Sequence, residues 1–186
     1  AGILTYLAIA ILGWTDNYRL SLAGIAGLIV AIGLTADSFI VYFERIRDEV
    51  REVRREGADR VTPVKILVIG TGGREHGILE ALRRTDPSAH DTAAGSTAPV
   101  DPRPLELFAA PGNPGMAQLA ECRAVDAASP AAVVALAQEL GAELVVVGPE
   151  APLVAGVADA LRDAGVPTLG PDRAAARLEG SKAFAK

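Results

Sequence analysis

The chain has 186 residues, room for one domain or two small ones, and its formal net charge of -5 leaves no electrostatic footprint for a nucleic-acid partner. Half of its residues are hydrophobic and its mean hydropathy is +0.28, high for a soluble domain, with the excess concentrated in residues 1–43. A single cysteine, Cys122, excludes an internal disulfide and fits a reducing compartment; with no second cysteine or histidine partner it reads as a small apolar residue rather than a catalytic or metal-binding one.

Ala1 to Gly13 carries no charge, and Leu20 to Phe43 is a run of 24 residues with one ionisable group, Asp37. About 20 apolar residues cross a bilayer, so the second run is long enough to span and the first resembles a span without its beginning. Trp14 to Arg19 (WTDNYR) is a short polar turn edged by interfacial aromatics, which makes the expected structure a transmembrane helical hairpin. A buried hairpin of soluble helices is the alternative; a cleaved signal peptide is disfavoured because no basic region precedes the apolar run. Gly24, Gly27 and Gly33 offer small surfaces for packing against other membrane helices. Asp37 is either a proton-relay carboxyl within the span or a group solvated near its cytoplasmic end. Beyond Phe43, Arg45, Arg47, Arg51, Arg54, Arg55 and Arg60 outnumber the single Arg19 of the turn, so this tail is expected on the cytoplasmic side, helical and solvated.

The stretch LSLAGIAGLIVAIGLTADSFIVYFERIRDE resembles the SecD-type subunit of the bacterial SecDF protein-export complex, a likeness covering residues 1 to 56. The resemblance implies that Asp37 belongs to a proton path and that Arg45 and Arg47 form a basic cluster at the membrane edge. It spans one hairpin of a larger protein, so export by this hairpin alone is not expected. Residues 57–63 (GADRVTP) read as a linker, because Gly57 and Pro63 punctuate it and Pro63 stops a helix.

From Val64 strand and helix patterns alternate, predicting an α/β domain with a Rossmann-like parallel sheet. VKILVIG is a buried strand that empties into Gly70, Gly72 and Gly73, and Arg74 to Arg84 is a helix with Ile78, Leu79 and Leu82 on one face. The first amides of that helix are expected to point into the crevice beyond the strand, where parallel sheets hold anions. The dinucleotide fingerprint G-x-G-x-x-G is broken, since Glu75 stands in its third position and the next glycine is Gly77. The glycines serve either an anion or only a sharp turn.

Thr85 to Pro104 is rich in Pro, Ser, Thr, Ala and Gly and is expected to be a flexible surface excursion, with His90 a solvated loop residue. Leu105 to Ala110 is the second strand and APGNPGM its rigid exit loop around Asn113. A short run follows at Cys122 to Val125, then a helix ending at Leu140, opened by the Ser129 cap and Pro130. Glu143 to Gly148 is a strand, Leu153 to Ala164 a helix, Val166 to Leu169 a last strand, and Asp172 starts another helix. Glu150 sits in the loop after the third of these strands, where it either meets a ribose hydroxyl or amine or caps the helix that follows.

Four motifs in order, VKILVIGTGGREHG, APGNPGMA, VVVGPEAPLVAG and LEGSKAFAK, resemble the amino-terminal domain of glycinamide ribonucleotide synthetase, an ATP-grasp ligase family of purine synthesis, over residues 64–186. The resemblance implies a pre-ATP-grasp domain at 64–177 and the start of an ATP-grasp domain at 178–186. It implies ligation of glycine to phosphoribosylamine through an acyl phosphate, with ATP and magnesium needed by the complete enzyme. Gly72, Gly73 and Arg74 would receive the phosphate or sugar, with Asn113 and Glu150 across the crevice. Lys182 would reach ATP phosphates, with Lys186 as the fallback; both read otherwise as a solvated chain end. No cofactor, catalytic residue or metal ligand is expected within this stretch, which reads as a piece of a longer polypeptide that does not ligate alone. A generic nucleotide-binding module, recognised by binding NAD, is the competing expectation.

Overall fold

A computed structural model describes residues 22–56, 62–85 and 103–180. The first expected membrane run, its WTDNYR turn and Lys182 lie outside them. The chain divides into two compact units, Ala1–Glu44 and Arg45–Lys186.

In the first unit the helix α1 (Leu22–Glu56) begins, and Ile29, Val30, Ile40 and Val41 are exposed along it. Asp37 is part of this helix, but its side chain lies outside the described residues. No helix among the described residues is long and apolar enough to cross a membrane. The expected hairpin therefore gains no support from the fold, although α1 does continue without a break through the predicted tail. That tail differs from expectation in one respect. Ile46, Val50 and Val53 are buried at helical spacing, so the segment from Arg45 onward has an apolar face as well as a solvated one.

The second unit holds a five-stranded sheet with every neighbouring pair parallel, built from β1 (Val64–Gly70), β2 (Leu105–Pro111), β3 (Glu121–Cys122), β4 (Leu144–Val147) and β5 (Thr168–Leu169). Their spatial order is β3-β2-β1-β4-β5, the doubly wound arrangement in which the chain reverses direction across the sheet between β1 and β4. Register aligns Gly70 with Pro111 and Ile69 with Val147, so the loops leaving β1, β2 and β4 emerge at one edge.

Successive residues of a strand face opposite ways, and β1 buries both sets. Leu67 and Ile69 join Phe108, Ala110, Val145 and Val147 in a core with α3 (Pro130–Leu140), α4 (Glu150–Ala155), α5 (Val157–Asp163) and α6 (Arg173–Gly180). On the other side α2 (Gly73–Thr85) packs on β1 and β2 with Ile78, Leu79 and Leu82 buried. The predicted helix at Leu153–Ala164 is in fact two helices. Gly156 takes φ +90° between them, a left-handed conformation that an apolar pattern alone does not announce.

Helix ends follow their sequence signals. Ser129 caps α3 by accepting the Ala132 N–H, and Gly141 closes it at φ 64°. Asp172 Oδ1 accepts the Ala175 N–H at the start of α6.

The amino edge of the sheet is fastened by Arg103, which is 1% exposed although it falls in the stretch expected to be a flexible excursion. Its Nε donates to Thr62 O at 2.9 Å, and its Nη2 donates to both carboxyl oxygens of Glu143 at 2.7 and 3.0 Å. The strands β1, β2 and β4 are thus tied at the start by one guanidinium. Replacing Arg103 by Ala removes all three bonds and leaves Glu143 partly buried without its counter-charge. A loss of about 3 kcal/mol is expected in urea unfolding of the full chain, with Arg103→Lys recovering only part because an ammonium lacks the planar fork.

Candidate functional site

At the opposite, carboxyl edge three loops converge, after β1, β2 and β4. The β1 loop is Thr71 and Gly72, and it leads straight into α2. Gly72 stands at the helix cap position, and Glu75, three residues on, turns back so that its Oε2 accepts the Gly72 N–H at 2.8 Å. This is the returning half of a capping box, with a carboxyl at the third helical position serving the cap amide.

Glu75 is buried, 4% exposed, and its side chain fills the hollow under the loop. A Cβ added to Gly70 would lie 2.7 Å from Glu75 Cγ and from Pro149 Cγ, and one added to Gly72 would lie 2.7 Å from Oε2. A Cβ at Gly148 would overlap Oε1 and lie 2.9 Å from Cδ. Gly72 and Gly148 are therefore glycines because of the space Glu75 occupies. Gly70, with φ +136°, also needs the conformational freedom.

The other loops are laced to this turn. Gly112 N–H donates to Gly70 O at 3.2 Å, and Gly148 N–H to Ile69 O at 3.4 Å. Asn113 Nδ2 donates to Thr71 O at 2.8 Å, while its Oδ1 accepts the amides of Gly115 and Met116 at 2.8 and 2.9 Å. Arg74 Nη1 donates to Gly148 O at 3.3 Å. The His76 ring lies against Gly115, about 3 Å from where a Cβ would stand.

These bonds sort the residues singled out from the sequence. Gly73 and Arg74 are exposed at the first two positions of α2, where helix geometry gives their amides no acceptor inside the ladder. The Gly72 amide, by contrast, is committed to Glu75. Asn113 has three of its four hydrogen-bonding positions engaged by backbone, so it acts as a loop staple with one Nδ2–H remaining. Glu150 is exposed as the first residue of α4, two positions after Gly148; no capping bond involves it, and Pro149 occupies the cap position. Lys182 and the Asp37 side chain are outside the described residues and cannot be placed with this group.

Glu75 is the residue that reading for ligands overlooked. Its signal is the spacing Gly72-x-x-Glu75 immediately after a strand, which is a capping pattern as well as a broken dinucleotide fingerprint. Among the described residues no group of three or more histidine, cysteine, aspartate or glutamate side chains could hold a metal ion. A separate groove of about 1050 Å³ runs between α4, α5 and α6, lined in part by Asp159, Asp163, Asp172 and Arg173, and it includes none of the loop residues above.

Residues 64–179 match the family model for the phosphoribosylglycinamide synthetase N domain. Over 123 residues the chain is 56% identical to the phosphoribosylamine–glycine ligase of Streptomyces coelicolor, covering 66% of this chain and 26% of that protein. It is 51% identical to the ligase of the same name from Mycobacterium tuberculosis, covering 66% and 25%, and 46% identical to that of Agrobacterium fabrum, again 66% and 25%. The chain thus spans about a quarter of the length of the curated relatives it matches. These likenesses cover the second compact unit from Val64 and give no support to a likeness of residues 1–56 to an export subunit.

The packing between Gly148 and Glu75 has a measurable consequence. Gly148→Ala should destabilise the protein by about 2 kcal/mol, as overpacking of a filled site does, and Gly148→Ala combined with Glu75→Ala should lose less than the two single changes added together. Thermal or urea unfolding of the four proteins in the cycle checks this, and strict additivity contradicts the packing described.

Proposed function

The chain belongs to the phosphoribosylglycinamide synthetase N-domain family, and on that premise we propose that its carboxyl-edge loops form the phosphoribosylamine side of the cleft of a phosphoribosylamine–glycine ligase. The observation that carries this reading is the stitching of the β1, β2 and β4 loops into one platform that leaves Gly73, Arg74 and Glu150 exposed.

The chemistry suits a sugar phosphate with an amine. Free amides at the start of α2 and the Arg74 guanidinium favour a phosphate dianion through hydrogen bonds and the helix dipole. Glu150 offers carboxyl oxygens to ribose hydroxyls or the amine. Asn113 holds the β2 loop in place and has one donor left for ligand. In the ligation, the glycine carboxylate takes the γ-phosphoryl group of ATP with release of ADP, and the phosphoribosylamine nitrogen attacks the carbonyl carbon of the acyl phosphate, releasing phosphate and a proton and forming the amide of glycinamide ribonucleotide. This chain's loops supply binding and orientation of the nucleophile, in the cytoplasm where purine precursors are made. ATP and magnesium belong to parts of the ligase outside the matched stretch, with Lys182 as the residue here that would approach the ATP phosphates.

A second reading concerns residues 1–43. The exposure of Ile29, Val30, Ile40 and Val41 along α1, together with the apolar composition of that region, supports its lying against lipid or against other apolar helices, as a membrane hairpin would. Asp37 would then be its proton-relay candidate.

Both readings can be tested on the full chain. Calorimetric titration with ribose 5-phosphate, a stable stand-in for phosphoribosylamine, should show saturable binding that salt weakens, and Arg74→Ala should weaken it about tenfold, equivalent to about 1.4 kcal/mol. No saturable binding by the folded wild type contradicts the sugar-phosphate reading. In a flotation gradient the chain should rise with phospholipid vesicles and stay with them in high salt if residues 1–43 insert; a chain that remains at the bottom contradicts the membrane reading.

A further inference from the structure

Among the described residues Glu75 is the only buried acidic side chain, and the sugar-phosphate reading gives it no ligand. It lies in the first turn of α2, under the loop that leaves β1. A doubly wound sheet of this order receives a dinucleotide at the point where the strand order reverses, with the pyrophosphate brought close to backbone by glycines in the first turn. That point lies between β1 and β4, and its hollow is bounded here by Gly70, Gly72 and Gly148. The Glu75 side chain occupies the space next to all three.

Three features close this entry together. The Gly72 amide, which would face an anion in an open turn, is bonded to Glu75 Oε2 at 2.8 Å. The missing side chains at Gly72 and Gly148 provide no room, because the Glu75 carboxyl group lies against both positions. Arg74 then reaches across to Gly148 O and joins the two loops above it.

We propose that Glu75 is a specificity-determining plug that denies a dinucleotide pyrophosphate the switch point and leaves a single phosphate group only the exposed Gly73 and Arg74 side of the turn. The second half of this statement rests on the sugar-phosphate reading of the site. The first half rests on the packing alone.

Titrating the full chain and its Glu75 variants with NAD, and in parallel with ribose 5-phosphate, tests the proposal. Wild type and Glu75→Gln, which keeps the volume, should show no saturable NAD binding up to about 1 mM, whereas Glu75→Ala should bind NAD at least about tenfold more tightly than that limit. Saturable NAD binding by wild type, or a folded Glu75→Ala protein that gains none, overturns the proposal. Should Glu75→Ala fail to fold, Glu75→Asp draws the carboxyl group back by one methylene; NAD binding gained by it supports the plug and its absence overturns it. Failure of the wild type to bind ribose 5-phosphate removes the monophosphate half and the reading beneath it, while the NAD arm still decides whether Glu75 blocks the switch point.

Discussion

One carboxyl group under a glycine turn fixes the junction between the β1 and β4 loops. Glu75 ties down the cap amide of α2 and fills the hollow shared by the β1 and β4 loops. A buried polar side chain is tolerated only with a partner in place, so the bond from the Gly72 amide and the position of Glu75 depend on each other. It also explains why a glycine-rich turn after a buried strand need not accept a dinucleotide. The glycines make room, and the protein itself takes it.

The two edges of the sheet are fastened by different means. At the amino edge one guanidinium, Arg103, joins the starts of three strands through Thr62 and Glu143. At the carboxyl edge the fasteners are distributed: Asn113 to Thr71, Gly112 to Gly70, Arg74 to Gly148. Most of these bonds run to backbone, so the loops hold their shape without drawing on every exposed group. The Gly73 and Arg74 amides, the remaining donors of the Arg74 guanidinium and the Glu150 carboxyl stay exposed on a platform already ordered, which would lower the entropy lost on binding a ligand there.

Much of the fold was legible because its determinants are local. The apolar run Val64–Ile69 entering glycines, the Ser129–Pro130 cap and Asp172 each announce an element through chemistry carried within a few residues. What escaped reading depends on distant partners or on a local backbone conformation. Arg103 lies in a stretch whose composition suggests a solvated loop, and only Glu143, forty positions on, makes its burial tolerable. The faces of Ile46, Val50 and Val53 are hidden among arginines and glutamates, and Gly156 interrupts an apolar pattern that otherwise reads as one helix. At the candidate site the sequence singled out three loops that the fold brings to one edge, but not the division of labour within them. Gly72 and Asn113 have hydrogen bonds to the protein that remove most of their capacity for ligand, and a linear motif does not record which groups are already engaged.

Family membership and geometry meet at the start of α2. The relatives are ligases that act on phosphoribosylamine by name, and this chain matches about a quarter of their length, the part that contains the glycine turn and its two neighbouring loops. On the sugar-phosphate reading, the phosphate group lands on Gly73 and Arg74 while the Gly72 amide stays with Glu75. Amide-resolved NMR of the full chain during titration with ribose 5-phosphate tests it most directly. Shifts are expected at the Gly73 and Arg74 amides, with Gly72 unmoved; shifts confined to the groove between α4, α5 and α6, or none in the β1–α2 turn, rule out a phosphate at this turn.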